Sequence, residues 1–239
     1  AEQAAFRGEV FQAIDAHRNG SQFATADGRG RTLIWDVQRQ GEPVLNLAWG
    51  AESVCTVRCN QADVHVLASA ATDRSVILHD LRTKSSIAKA YLPLRANALC
   101  WNPMEAYYFA VASEDYNAYA FDMRFLDKAV NVWRGHVNAV MDVDYSPTGQ
   151  ELLTASYDKT IRIWPVRGGQ SRDIYHTSRM QRVFSCRFSG DSLYTISGSD
   201  EGGVRLWRTQ ASLPIGPLAP RQRASLEYSK ALQQRYQSI

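Results

Sequence analysis

Along most of the chain, small or apolar residues alternate with polar ones in short runs, and the runs recur. In Thr160-Ile161-Arg162-Ile163-Trp164, Ile161 and Ile163 share a face, which is the period of a strand. Five segments repeat one layout: a small-residue strand, an acidic turn, a second strand and an aromatic ending. They are FATADGRGRTLIWD ending at Asp36, LASAATDRSVILHD ending at Asp80, AVASEDYNAYAFD ending at Asp122, LTASYDKTIRIWP ending at Pro165 and TISGSDEGGVRLWR ending at Arg208. Asp27, Asp73, Asp115, Asp158 and Asp200 mark tight hairpin turns, where an Asp side chain bonds its own backbone. A further strand precedes each segment, at 11–15, 53–58, 97–101, 140–145 and 183–188. Several of these run into turn formers such as Asn102-Pro103 and Ser146-Pro147-Thr148-Gly149. No segment before Leu218 has the recurrence of an amphipathic helix, so the expected class is all-β.

The ring-bearing residues near the five endings, Trp35, His79, Phe121, Trp164 and Trp207, are spaced by 44, 42, 43 and 43. A period near 43 with such endings resembles WD-type repeats, each forming one four-stranded blade of a β-propeller. Blades are expected to end near 36, 80, 122, 165 and 208, within a propeller domain spanning 1–213. Such propellers usually close with seven blades, and an arc of five leaves two blade faces uncovered. The expectation is therefore five blades of seven, with two N-terminal blades missing; a five-blade ring is the alternative. Pro214, Pro217 and Pro220 then introduce a second region, 214–239, read as a proline-rich linker and a helix beginning a C-terminal extension. In that helix Ala224, Tyr228, Leu232 and Tyr236 recur every fourth residue, joined by Ala231, which predicts a basic amphipathic helix.

Composition narrows the function. The chain has 239 residues, 45% hydrophobic and 21% charged, which excludes a disordered or collagen-like polymer. No apolar run approaches the roughly 18–20 residues that span a bilayer, and the opening residues lack the layout of a secretory signal. Four cysteines without a Cys-x-x-Cys pair read as reduced core residues of an intracellular protein. Cys55 and Cys59 share a strand face with no His or acid at matching spacing, which favours buried thiols over a zinc site. His17, His65 and His176 are isolated and read as turn or surface residues. There is no phosphate loop of the Walker kind, no His-Glu-x-x-His and no nucleophile elbow, so no catalysis and no cofactor or metal is expected. Net charge is +3, and residues 217–239 hold all of it: Arg221, Arg223, Lys230 and Arg235 stand against Glu227 alone. A short basic tail on a balanced body points to one localised contact with phosphate or an acidic protein surface, against the plainer reading of a solvated helix on its own propeller.

The fourth repeat is the most complete, with Arg134-Gly135-His136 ahead of its first strand. Its resemblance to the WD pattern implies a buried polar network of His136, Ser156, Asp158 and Trp164. A Ser/His/Asp trio also occurs in hydrolases, but this one falls at repeat spacing and without a nucleophile elbow.

Longer strings are more specific. Cys100-Trp101-Asn102-Pro103-Met104-Glu105-Ala106, Glu114-Asp115-Tyr116-Asn117, Tyr175-His176-Thr177-Ser178-Arg179-Met180-Gln181 and Leu218-Ala219-Pro220-Arg221-Gln222-Arg223-Ala224 stand in one order along the chain. Together they resemble the SOF family of nucleolar WD-repeat proteins. That resemblance implies a non-enzymatic subunit of the small-subunit processome, associated with U3 small nucleolar RNA and needed for 18S rRNA maturation. It implies a nuclear and nucleolar location, processome proteins and other propellers as partners, pre-rRNA or U3 RNA nearby, and neither a membrane nor a small-molecule substrate. A second reading rests on Asp80-Leu81-Arg82 and Asp122-Met123-Arg124. Both resemble the Asp-x-Arg box by which some WD proteins dock on the adaptor of Cullin-4 ubiquitin ligases, so Asp80, Arg82, Asp122 and Arg124 are candidate contacts. His79 and Phe121 replace the box's Trp, and the plainer reading of each pair is a surface ion pair.

Overall fold

A computed structural model describes residues 10–39, 41–212 and 220–236. The opening nine residues and the proline-marked linker at 214–219 lie outside the described residues. The chain divides into two units, Ala1–Thr209 and Gln210–Ile239.

The first unit is five antiparallel sheets taken in chain order. The first holds β1 (Phe11–Ala16), β2 (Gln22–Asp27), β3 (Arg31–Asp36) and β4 (Leu45–Ala48). The second holds β5 (Val54–Cys59), β6 (Val66–Ala71), β7 (Ser75–Asp80) and β8 (Ser85–Tyr91). The third holds β9 (Ala96–Trp101), β10 (Tyr108–Ser113), β11 (Ala118–Asp122) and β12 (Asn131–Trp133). The fourth holds β13 (Val140–Tyr145), β14 (Glu151–Ser156), β15 (Ile161–Pro165) and β16 (Asp173–Tyr175). The fifth has three strands among the described residues, β17 (Val183–Phe188), β18 (Tyr194–Ser199) and β19 (Val204–Arg208). Each sheet is a blade, and the first strands of successive blades lie side by side. The architecture is the all-β propeller fold.

Burial explains why the second strands are so rich in Ala and Ser. All six residues of β6, and all but the first of β10 and of β14, are buried. A strand covered on both faces cannot alternate polar and apolar residues, and small side chains let the neighbouring blades approach. The apolar core is accordingly divided among the blade interfaces. One cluster joins Val66, Leu78 and their neighbours to Leu99, Trp101 and Phe109 of the third blade, and another joins Ala110 and Trp133 to Val143, Leu152 and Trp164 of the fourth.

A β-bulge interrupts the pairing of the first two strands in every blade, at Gln12, Cys55, Asn97, Met141 and Phe184. Bulges re-aim side chains, and here three reach the next blade. Gln12 Nε2 donates to Ser53 Oγ at 3.0 Å, Cys55 Sγ accepts from Arg95 Nη2 at 3.2 Å, and Asn97 Nδ2 donates to the Val140 carbonyl at 2.9 Å.

Among its described residues the second unit contains one helix, α1 (Pro220–Tyr236), with Pro220 at its first position, where the missing N–H costs no intrahelical bond.

Candidate functional site

The polar network of the fourth blade forms around a different hydroxyl from the one anticipated. His136 Nδ1 lies 2.8 Å from Asp158 Oδ2, and His136 Nε2 lies 2.7 Å from Thr154 Oγ1. The Trp164 indole N–H donates to the same Thr154 Oγ1 at 2.8 Å. Ser156 stands outside this chain; its hydroxyl donates to the Asn138 and Ala139 carbonyls at 3.0 and 2.9 Å and accepts from the Asp158 N–H. The reason is register. Trp164 pairs with Leu152, so Ser156 is four residues along β14 from the indole, roughly 13 Å at strand rise, whereas Thr154 is halfway.

The ionised Asp158 carboxylate can only accept, so His136 Nδ1 carries the ring proton; in the neutral imidazole Nε2 then accepts from Thr154, whose oxygen takes the indole N–H and whose other acceptor, the Arg162 carbonyl, lies farther off at 3.4 Å. Burial lowers the imidazole's pKa against the pull of Asp158. Burial works to raise the Asp158 carboxyl, but bonds from His136, Thr160 and the Val137 N–H outweigh it and hold it below its ordinary range. The result is a neutral imidazole, an ionised Asp and no exposed nucleophile.

The same device recurs ten residues before each polar ring. Trp35 Nε1 donates to Thr25 at 2.8 Å, Ser69 bonds His79 Nε2 at 2.9 Å, and Trp207 Nε1 donates to Ser197 at 2.9 Å. In the third blade the ring is Phe121, which has nothing to donate, and the position ten before it is Val111. A hydroxyl accompanies every polar ring and is absent beside the apolar one, a signal present in the sequence but invisible without the register.

The inner strands carry a second set that sequence reasoning missed. Asp15, Arg58, Cys100, Asp144 and Arg187 occupy the penultimate position of the five first strands and line one cavity of about 450 Å³. Asp15, Asp142 and Asp144 each accept a backbone N–H from the next blade, that of Cys59 at 2.7 Å, Cys186 at 3.0 Å and Phe188 at 2.8 Å. Arg187 lies 3.5 and 3.6 Å from Asp142 and Asp144, and Arg58 3.7 Å from Asp15. Burial raises the pKa of all three carboxyls, the arginines opposing it. Burial also pushes the Cys59 and Cys100 thiols up to about 12, which keeps them protonated and unreactive. Among the described residues no three His, Cys, Asp or Glu side chains are grouped to hold a metal ion.

The two Asp-x-Arg pairs begin on the last residues of β7 and β11, the third strands of adjacent blades, and are held differently. Arg124 is fixed by Asp122 through Nη2–Oδ2 at 2.7 Å and Nε–Oδ1 at 3.0 Å, with its guanidinium 4.4 Å over the Tyr107 ring. The Arg82 guanidinium lies 3.6 Å from Asp80 Oδ1, which accepts the Arg82 backbone N–H at 2.7 Å, and 64% of the Arg82 side chain is exposed.

Arg221, Arg223, Lys230 and Arg235 all lie on α1. At about 3.6 residues per turn, Arg223 and Lys230 fall opposite the stripe of Ala224, Tyr228, Leu232 and Tyr236, while Arg221 and Arg235 fall on its side. The helix is therefore less cleanly amphipathic than its fourfold spacing predicts, because a strict four-residue repeat drifts around the axis.

Comparison with known proteins places this geometry. The WD domain, G-beta repeat, matches residues 127–165 and 171–208. Protein SOF1 of Saccharomyces cerevisiae is 50% identical over 235 residues, 98% of this chain and 47% of its own length. The chain belongs to the SOF-type WD-repeat family. Other relatives are named DDB1- and CUL4-associated factor 13; that of Xenopus laevis is 48% identical over 229 residues, 95% of this chain and 51% of its own, and that of Homo sapiens 45% identical over the same shares. The chain spans about half the length of these curated relatives, and SOF-type likeness runs through all five blades and into α1.

Proposed function

We propose that the chain is a non-enzymatic scaffold of the small-subunit processome, acting in the nucleolus in pre-rRNA processing and 18S rRNA maturation. The observation that carries this reading is half-identity to Protein SOF1 along 98% of the chain. Each polar group of the fourth blade's network is spent on another, and the inner carboxylates bind the backbone of the next blade. Such a body suits a scaffold that offers fixed surfaces to partners. Its partners are processome proteins and other propellers, with pre-rRNA or U3 RNA close by. On α1, Arg221, Arg223, Lys230 and Arg235 would meet phosphate or an acidic subunit. In-cell crosslinking of the tagged protein followed by RNA sequencing tests the assignment: crosslinks to 18S precursor or U3 RNA support it, and their absence argues for protein contacts alone. Reversing the four charges on α1 should weaken pre-ribosome association in a salt-sensitive way.

A second reading, docking on the adaptor of a Cullin-4 ubiquitin ligase, is favoured by Arg82. Its guanidinium is mostly exposed and only 3.6 Å from a buried Asp80, and relatives bear the name DDB1- and CUL4-associated factor 13. Arg82→Ala with Arg124→Ala should abolish adaptor pull-down and leave pre-rRNA processing unchanged. Arg82 is expected to carry more of the effect, because Arg124 is committed to Asp122 and Tyr107.

A further inference from the structure

In each blade five residues join the second strand to the third, counted from the last pair of the ladder: Ala26 with Thr32, Ala70 with Val76, Ala112 with Ala118, Ala155 with Ile161 and Gly198 with Val204. The fourth of the five has positive φ in every blade, between 66° and 79°: Gly30, Arg74, Tyr116, Lys159 and Gly202. The first and fifth blades place glycine there, the residue that adopts this conformation without a steric penalty. The three middle blades hold a cation, an aromatic ring and a cation instead, all exposed. An L side chain is disfavoured at such φ, so these turns keep side chains where folding alone favours none.

These turns lie at the end of the blades where the first strands begin. The N–H groups of Thr72, Glu114 and Tyr157 donate to the carbonyls of Ser53, Arg95 and Ala139 at 2.9, 3.0 and 3.0 Å. The turn acids are engaged with neighbours: Asp73 accepts from Ser75 and Lys89, Asp115 from Asn117 and Tyr119, and Asp158 from His136 and Thr160. Glu114, the remaining acid of the three turns, is half-buried. On the three turns and the two connections between these blades the exposed charges are Arg74, Arg134 and Lys159, all basic. None of the three forms an ion pair among the described residues. Two exposed rings accompany them: Tyr116, 50% exposed, and Tyr91, 71% exposed, with Lys89 Nζ 5.2 Å from its ring centre. Tyr91 pairs with Ser75, the residue after Arg74.

We propose that this end of the second, third and fourth blades binds single-stranded RNA, with phosphates on Arg74, Arg134 and Lys159 and bases stacked on Tyr116 and Tyr91. The exposed charges call for a polyanion, and the rings decide which kind. An acidic peptide's carboxylates have no ring to lay on an exposed tyrosine, whereas every base has a π-face. A duplex fits less well, because its bases are already stacked on one another. Successive blades present cation, ring and cation, which matches the alternation of phosphate and base along one strand. The inference deepens the nucleolar reading above and rests on it for RNA as the strand. Its groups belong to the propeller and not to α1, so the two surfaces can be tested apart.

Fluorescence anisotropy of labelled oligouridylate, titrated with the 239-residue chain, tests it. Arg74→Gly with Lys159→Gly should weaken binding at least about tenfold. It should also lower the slope of log affinity against log salt by about 1.4, because each phosphate contact on a single strand contributes about 0.7. Tyr116→Gly should weaken binding about fivefold or more by removing a stacking face. Glycine suits the positive φ at all three positions, so urea midpoints should stay close to that of the unchanged chain, which separates lost contact from lost fold. Lys84→Gly, the same kind of change at the opposite end of the second blade, should alter nothing. No binding by the unchanged chain, a loss confined to reversal of the α1 charges, indifference to Tyr116→Gly, or equal competition by polyglutamate would each overturn the proposal. Those results leave the nucleolar reading standing; it falls instead if in-cell crosslinking finds neither 18S precursor nor U3 RNA.

Discussion

The fourth and fifth blades are built from nearly the same words and sit in different surroundings. LTASYDKTIRIWP and TISGSDEGGVRLWR share the hydroxyl ten residues before a Trp, the turn acid and the alternating third strand. In the fourth blade both faces are covered: Leu152, Leu153, Ile161 and Ile163 are each at most 1% exposed, as is Trp164. In the fifth, Val183, Thr195 and Ser197 are buried toward the fourth blade, while Ile196, Leu206 and Val204 on other positions are 41%, 65% and 77% exposed. The indole-to-hydroxyl bond is present in both, at 2.8 and 2.9 Å. Local chemistry is therefore the same, and what differs is whether a neighbour turns each side chain into core. A blade does not stabilise itself; its apolar faces gain free energy only against the next blade.

The comparison can be broken by experiment. The largest effect is expected from the two tryptophans: Trp164→Ala should cost about 3–5 kcal/mol in denaturant unfolding, and Trp207→Ala clearly less, because its ring is only partly buried. Equal costs would mean that the fifth blade is covered in solution. Next, Thr154→Val strands both the indole N–H and a histidine nitrogen, for a loss of about 2–5 kcal/mol, while Ser156→Ala should cost less; the reverse order would restore Ser156 to the network. The buried histidines should lose stability as pH drops from 6.5 toward 4, against the opposite pull of the buried carboxyls Asp15, Asp142 and Asp144. His79, flanked by Ser69 and Ser86, has its pKa lowered by burial from 6.5 to about 4, so over that range the unfolded chain takes up a proton that the folded one refuses. The loss from His79 amounts to about 3 kcal/mol by pH 4, and His136 adds to it in the same direction. Ser69→Val with His79→Phe, which copies the Val111/Phe121 pair of the third blade, should flatten that slope, read by urea midpoints across pH. The smallest effect belongs to Leu206→Ala, expected within about 0.5 kcal/mol, against about 2–5 kcal/mol for the buried Leu153→Ala.

Much of this was legible in advance. The period near 43, the turn acids and the ring-bearing endings place every blade within a residue or two of its observed third-strand end. The network residue was misplaced because Ser156 and Thr154 have equal parity on a strand, so pattern alone cannot choose between them; only the pairing of Trp164 with Leu152 does. The inner set of Asp15, Arg58, Cys100, Asp144 and Arg187 repeats at the same period yet mixes acids, bases and a thiol, which hides it from any search for like residues.

By itself, then, the order of residues determined the strand alternation and the blade count in this stretch, because these depend on spacing within one blade. Only the tertiary structure decided which hydroxyl completes the His136 chain, which arginine of the two Asp-x-Arg pairs is committed, and which exposed charges of neighbouring blades share one end. Those outcomes depend on distances across strands and between blades some 43 residues apart, and a hydrogen bond that fails beyond about 3.5 Å is decided by such distances alone.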